Sequence, residues 1–78
     1  MFEQRESPNL EVEIIEQLAT LSSNGNWHKE FNIVQWGDNI AKYDIRSWNK
    51  NHSKAGKGIT FTLEEIKILK KALDLMDI

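Results

Sequence analysis

The residues from 42 to 48 read Lys42-Tyr43-Asp44-Ile45-Arg46-Ser47-Trp48. In an extended chain Tyr43 and Ile45 face one way, whereas the charged side chains and Trp48 face the other. A period of two is typical of a β-strand, and here it produces one apolar face and one charged face. The stretch therefore predicts a strand that covers a core on one side only.

Further strands are predicted on either side of this one. Apolar side chains recur at alternate positions in residues 27–36 and again in residues 57–61, as expected for strands. Residues 37–39, which read Gly-Asp-Asn, predict the turn before residue 42, and the polar residues 49–56 predict a loop after residue 48.

The clearest helix signal follows the last strand. Thr62 with Glu65 three residues later forms a capping box ahead of a run without glycine or proline. The apolar positions of this helix cover an arc of about 180°, wider than the ~100° needed to cover one sheet. The helix either lies deeper in its own core or, as we expect, packs against a second copy. The predicted contact residues are Ile66, Leu69, Leu73 and Met76.

Residues 10–21 allow two interpretations. Leu10, Ile14, Leu18 and Leu21 fall on one helical face, so periodicity slightly favours a helix. The β-branched residues of the segment and the turn signal in residues 22–26 instead favour a strand that enters a hairpin.

The composition suits one small domain. The chain has 78 residues, a net charge of -2 and no cysteine, and we expect a flexible segment at residues 1–9 followed by a domain at residues 10–78. Without cysteine there are no disulfides or thiolate metal sites, which favours a reducing compartment. The sequence has no secretory signal and no long apolar run, so the predicted location is the cytoplasm, including association with the nucleoid.

No catalytic or metal-binding pattern occurs. His28 and His52 lie 24 positions apart without a zinc motif and are interpreted as surface histidines. Glu11 and Glu13 are two positions apart without a partner that would suit them to general acid–base catalysis, and no nucleophile elbow or Walker loop is present. We therefore expect no enzyme activity, cofactor, metal, small-molecule substrate or membrane partner.

Positive charge is concentrated in one segment. Residues 41–58 contain five lysines and arginines against Asp44 alone, a local charge of +4, while the rest of the chain carries -6. This distribution suits one basic face for an anionic partner. On charge alone, a lysine-rich loop without such a partner explains it equally well.

Three tryptophans are many for a chain of this length. Trp27 is in phase with Phe31 and Ile33 and is predicted to lie in the core. Trp36 and Trp48 fall on the charged faces and are predicted to be exposed beside cations. Single-stranded nucleic acids are bound in this way, since unpaired bases stack on exposed rings and cations follow the phosphates.

Three sequence blocks also resemble a known family. They are Glu30-Phe31-Asn32 with Val34-Gln35-Trp36, the stretch from Lys42 to Trp48, and Gly56-Lys57-Gly58-Ile59-Thr60-Phe61-Thr62. Together they resemble the positive-cofactor-four family of transcriptional coactivators, above all its compact bacterial YdbC-like members, over residues 10–75. The resemblance implies an α+β fold, in which a four-stranded curved antiparallel sheet is followed by one C-terminal helix (β-β-β-β-α). It makes residues 10–21 the first strand, and it implies a homodimer that forms through the helix and binds single-stranded DNA across the sheets.

The resemblance also assigns roles to individual residues. Trp36 and Trp48 match stacking positions, Arg46 matches the arginine of the third strand, and Lys57 matches the basic position that opens the fourth. Lys42 and Lys54 are similar to lysines that contact the backbone phosphates in YdbC-like relatives. The expected nucleic-acid-binding residues are therefore Trp36, Lys42, Arg46, Trp48, Lys54 and Lys57.

These observations lead to a hypothesis of function. We expect a homodimer that binds single-stranded DNA with little sequence preference, in transcription regulation or in replication and repair. Two alternatives stay open: a protein-interaction module that docks an acidic partner, and an RNA-binding protein. RNA stays open because stacking and phosphate contacts do not sense the 2′-hydroxyl.

Overall fold

A computed structural model describes residues 12–78 of the chain. Its elements are β1 (Val12–Asn24), β2 (Trp27–Trp36), β3 (Lys42–Asn49), β4 (Ala55–Phe61) and α1 (Leu63–Asp74). The strands form one open sheet in the order β1-β2-β3-β4, each antiparallel to its neighbour. The predicted architecture of four antiparallel strands and one C-terminal helix is confirmed. The predicted flexible segment at residues 1–9 lies outside the described residues.

β1 is a strand throughout its described length, and its irregularities explain why periodicity favours a helix. The pairing of β1 with β2 shifts register at three places, which leaves Ile15, Leu18 and Leu21 without a partner residue. A β-bulge adds one unpaired residue, so the spacing between residues of one face grows from two to three. Apolar residues three apart also mark a helical face, and the sequence pattern of β1 therefore imitates a helix.

The two faces of the sheet differ in chemistry. We call one the apolar face; it carries Phe31, Ile33, Tyr43, Ile45, Ile59 and Phe61. We call the other the polar face; it carries His28, Glu30, Asn32, Val34, Trp36, Lys42, Asp44, Arg46, Trp48 and Thr60. The helix lies against the apolar face, where Ile66 and Leu69 meet Phe31, Tyr43 and Ile45 around one groove.

The fully buried side chains of the sheet all lie on the polar face, although the helix covers the apolar face. Val34, Asn32 and Asp44 have no exposed surface, and Trp48 and Glu30 are nearly as buried. On the apolar face Ile59 remains 57% exposed, and no residue of α1 is buried. The apolar face is therefore only partly covered within one chain.

The helix begins as the sequence predicts. The Thr62 hydroxyl accepts a hydrogen bond from the Glu65 backbone N–H at 3.1 Å, and the Glu65 carboxylate accepts one from the Thr62 backbone N–H at 2.8 Å. Two backbone groups that have no partner within the helix are thus satisfied, so the capping box is confirmed and fixes where α1 starts after β4.

Candidate nucleic-acid interface

The register of the central strands brings several predicted site residues to one side of the sheet. Glu30 pairs with Arg46, Asn32 with Asp44 and Val34 with Lys42 across β2 and β3. Residues directly opposite each other in a ladder share a face. Four of the six predicted nucleic-acid-binding residues therefore lie on the polar face. They are Trp36, Lys42, Arg46 and Trp48.

Trp36 and Arg46 form the centre of the candidate interface. The guanidinium carbon of Arg46 lies 5.0 Å from the centroid of the Trp36 ring, in cation–π geometry. The Trp36 side chain is half-buried, so part of its ring surface reaches solvent. The predicted juxtaposition of an accessible aromatic ring with a cation is present at this position.

Arg46 is held in place by a buried carboxylate. Its Nε donates to both oxygens of Asp44 at 2.9 and 3.0 Å, and its Nη2 donates to Asp44 Oδ2 at 2.9 Å. Its Nη1 donates to the Gly56 carbonyl at 3.1 Å, and the Thr60 hydroxyl donates to Asp44 Oδ2 at 3.0 Å. A guanidinium carries five N–H donors, so these bonds orient Arg46 and leave two N–H groups for an anion.

Gly58 allows β4 to approach Arg46 closely. A Cβ atom at Gly58 would lie 2.0 Å from the Cβ of Arg46 and 2.4 Å from the Ile45 carbonyl oxygen. No residue with a side chain fits at this distance without movement of the backbone. Glycine at position 58 is therefore needed to bring the Gly56 carbonyl and Thr60 to the Arg46–Asp44 pair.

Trp48 lies on the predicted face but is buried. Its side chain is 2% exposed, so the expectation of an exposed ring is wrong. The loop between β3 and β4 folds over the polar face and places the His52 ring 5.7 Å from the Trp48 ring at 49°. Alternation along β3 correctly gives the face of Trp48 but contains no information on the loop that covers it.

The same loop forms a contact that sequence reasoning missed. His52 Nε2 lies 2.9 and 3.0 Å from the two carboxylate oxygens of Glu30, and Glu30 Oε1 also accepts from Asn32 Nδ2 at 3.0 Å. Glu30 and Asn32 are two residues apart, so the strand period indicates that they share a face. No sequence pattern links them to His52, which lies in a loop 22 residues after Glu30. The sequence alone predicts an ordinary surface histidine there.

The predicted lysines form no ion pairs with other residues of the described range 12–78. Lys42 is exposed on the polar face, Lys54 is exposed in the loop before β4, and Lys57 is exposed within β4. Exposed lysines on flexible stems suit a phosphate backbone, which offers charge without a fixed geometry.

Two other predictions concern apolar residues. Trp27 is 40% exposed, so its assignment to the core is wrong, because a strand end extends beyond the area that α1 covers. The predicted dimer residues Ile66 and Leu69 are half-buried, while Leu73 and Met76 are 48% and 50% exposed. Ile66, Leu69 and Leu73 line an apolar groove of about 530 Å³ between α1 and the sheet.

The described residues contain no group of three or more potential ligands placed to hold a metal ion. The one described helix, α1, is too short to cross a membrane.

Comparison with known proteins gives the family. The profile of the family described as Transcriptional Coactivator p15 (PC4) matches residues 23–72, well over half of the chain. A protein of Treponema pallidum (strain Nichols) described as "Uncharacterized protein" is 40% identical over 67 residues, which is 85% of this chain and 79% of that protein. The matched range contains β2, β3, β4 and most of α1, with the whole Trp36–Arg46–Asp44 arrangement. The chain thus belongs to the p15 (PC4) family of transcriptional coactivators, which implies nucleic-acid binding.

Proposed function

We propose that this protein binds single-stranded DNA with little sequence preference, as a homodimer, and acts in transcription regulation or in replication and repair. The observation that supports this most is the Trp36 ring held against Arg46 on the polar face. An unpaired base stacks on such a ring, and the two remaining N–H groups of Arg46 bind the adjacent phosphate. Family membership supports the nucleic-acid part of the proposal.

Selection for single strands follows from the stacking contact. Base faces are covered by their neighbours in a duplex and become accessible when the strand is unpaired. Every base has a stacking face, and phosphates are identical along the strand, so these contacts discriminate little between sequences. Lys42, Lys54 and Lys57 add phosphate contacts in this proposal, and affinity should fall as salt rises.

The buried acids keep the polar face compatible with DNA. Asp44 has no exposed surface and is paired with Arg46, and Glu30 is 5% exposed beside His52. Both carboxylates are thus shielded from the approaching phosphates, while the lysines stay in solvent. Lys42 then adds exposed positive charge to the polar face, although the whole chain carries -2.

The homodimer part rests on the apolar face. The groove of about 530 Å³ is lined mainly by apolar side chains of β1, β2, β3 and α1, and Leu21 and Leu73 in it are about half exposed. A chain of this size has a small core, and self-association is one way to complete it. A second copy that inserts its own helix would cover these residues and leave both polar faces free for DNA.

Fluorescence anisotropy with labelled oligo-dT tests the proposal. Trp36→Ala should weaken binding by about 1–3 kcal/mol, or about 5- to 160-fold in Kd, because the stacked base is lost. Trp27→Ala is the matched control, since Trp27 is an exposed tryptophan on the opposite face of the same strand, and its Kd should stay unchanged.

Four outcomes oppose the proposal. Equal affinity for a matched duplex would exclude stacking on unpaired bases, and unchanged affinity of Trp36→Ala would remove Trp36 from the site. Tighter binding of a matched RNA strand in competition would show that RNA is the preferred ligand. No binding of either nucleic acid would favour a protein-interaction module.

A further inference from the structure

Trp48 is buried on the polar face with the His52 ring beside it. The Trp48 ring is almost completely buried, and the His52 ring lies 5.7 Å from it on the polar face. With 2% of its surface exposed, Trp48 itself offers no ring face to a base. The surface that an incoming base meets at this part of the polar face is therefore the His52 side chain, which is 30% exposed.

His52 is fixed on several sides. Its Nε2 contacts both carboxylate oxygens of the buried Glu30 at 2.9 and 3.0 Å. Its backbone N–H donates to the Asn49 carbonyl at 3.0 Å, and Asn49 Oδ1 accepts from the Lys54 N–H at 2.9 Å. Its φ of 60° is the only positive value at a non-glycine residue in the described part of the chain. Such a backbone conformation persists where surrounding contacts enforce it, so the ring position is determined by its neighbours.

We propose that the imidazole of His52 is a second base-stacking surface of the polar face, with Trp48 behind it and Glu30 as a positioning residue. This inference rests on the proposed function and adds a binding residue to it. Imidazole rings stack on unpaired bases as other aromatic side chains do. A ring that is already oriented loses little conformational entropy when a base stacks on it. The ligand class is an unpaired base of a single-stranded nucleic acid.

Substitution of the ring tests this role. His52→Asn removes the aromatic surface, and asparagine tolerates a positive φ better than most residues. We expect its Kd for oligo-dT to rise about 5-fold or more, at the lower end of the range for base stacking. His52→Phe restores an aromatic ring without the contact to Glu30 and should recover a large part of the affinity.

His28→Asn is the matched control. His28 lies on the same face, pairs with Trp48 across the strands, and has its Nδ1 2.8 Å from the Ser23 hydroxyl. The His28→Asn protein should bind oligo-dT with the same Kd as the unchanged protein. In NMR spectra of that protein, the ring protons of His52 should shift upfield when oligo-dT is added, and those of His28 should shift less.

The outcomes separate this inference from the proposed function. If the unchanged protein does not bind oligo-dT, the proposed function fails and this inference fails with it. If that protein binds and His52→Asn binds equally well, only the inference is overturned. Tighter binding of His52→Asn would also overturn it, because His52 would then act as a cover that keeps bases away from Trp48.

Discussion

Replacement of Asp44 by asparagine should destabilise the fold by about 3 kcal/mol. Asp44 is completely buried and accepts three hydrogen bonds from Arg46 and one from the Thr60 hydroxyl. Removal of one partner of a buried ion pair costs about 3–5 kcal/mol, because the other charge stays buried without its partner. The Arg46 side chain is 12% exposed, so the guanidinium can regain some hydration. We therefore expect the lower end of this range.

Thermal unfolding followed by circular dichroism, at one fixed protein concentration, measures this loss. For a domain of this size, 1 kcal/mol corresponds to about 4–8 °C in Tm, so Asp44→Asn should lower Tm by about 12–24 °C. Arg46→Met should also be strongly destabilising, since it leaves the buried carboxylate unpaired. The double variant should lose less than the sum of the two single losses, because neither charge is then left alone.

Asp74→Asn is the control for the removal of a carboxylate as such. Asp74 pairs with Lys70 at 3.2 Å on α1, and both side chains are more than two-thirds exposed. Exposed pairs of this kind contribute about 0.3–0.5 kcal/mol, so its Tm should change by only a few degrees. A Tm loss for Asp44→Asn that is no larger than that of the control, or single losses that simply add in the double variant, would refute the structural role of the buried pair.

Two further predictions concern packing. Gly58→Ala should destabilise the fold by more than about 2 kcal/mol in urea unfolding, because its Cβ would overlap Arg46 and force β4 away from β3. Gly56→Ala meets its nearest neighbour at 3.3 Å and should cost less; the reverse order would contradict the close approach at position 58. Leu73→Glu places a charge in the apolar groove and should convert the proposed dimer to a monomer in sedimentation equilibrium, whereas the exposed Lys67→Glu should not. A Leu73→Glu protein that stays dimeric would place the interface elsewhere.

The sequence predicts those features that arise from neighbouring residues. The alternation from Lys42 to Trp48 gives β3 and its two faces, and the Thr62–Glu65 pair gives the start of α1. Both signals depend on residues within one strand or one helical turn, where the spacing alone determines geometry. The alternation also places Asp44 and Arg46 on one face, since residues two apart in a strand share a face, but it does not predict their buried ion pair.

Features that depend on distant residues could not be predicted in this way. Trp48 is buried where the β3–β4 loop brings His52 against it and against Glu30. The path of this loop cannot be read from the alternation of residues along a strand. The pattern of β1 does not distinguish strand from helix for a different reason. Three bulges change the spacing of residues on one face to a spacing that helices also show. In that segment the resemblance to a family supplied what the pattern did not. The role of Gly58 depends on contact between two strands, which no single-strand pattern contains.

The bulges of β1 also affect the free edge of the sheet. β1 is a 13-residue strand at one edge of the sheet, and an edge of that length, if flat and regular, offers a continuous row of backbone groups to strands of other molecules. Each bulge twists the strand and interrupts this row. The shifts at Ile15, Leu18 and Leu21 thus divide the edge into short stretches, which disfavours the addition of a strand from another molecule.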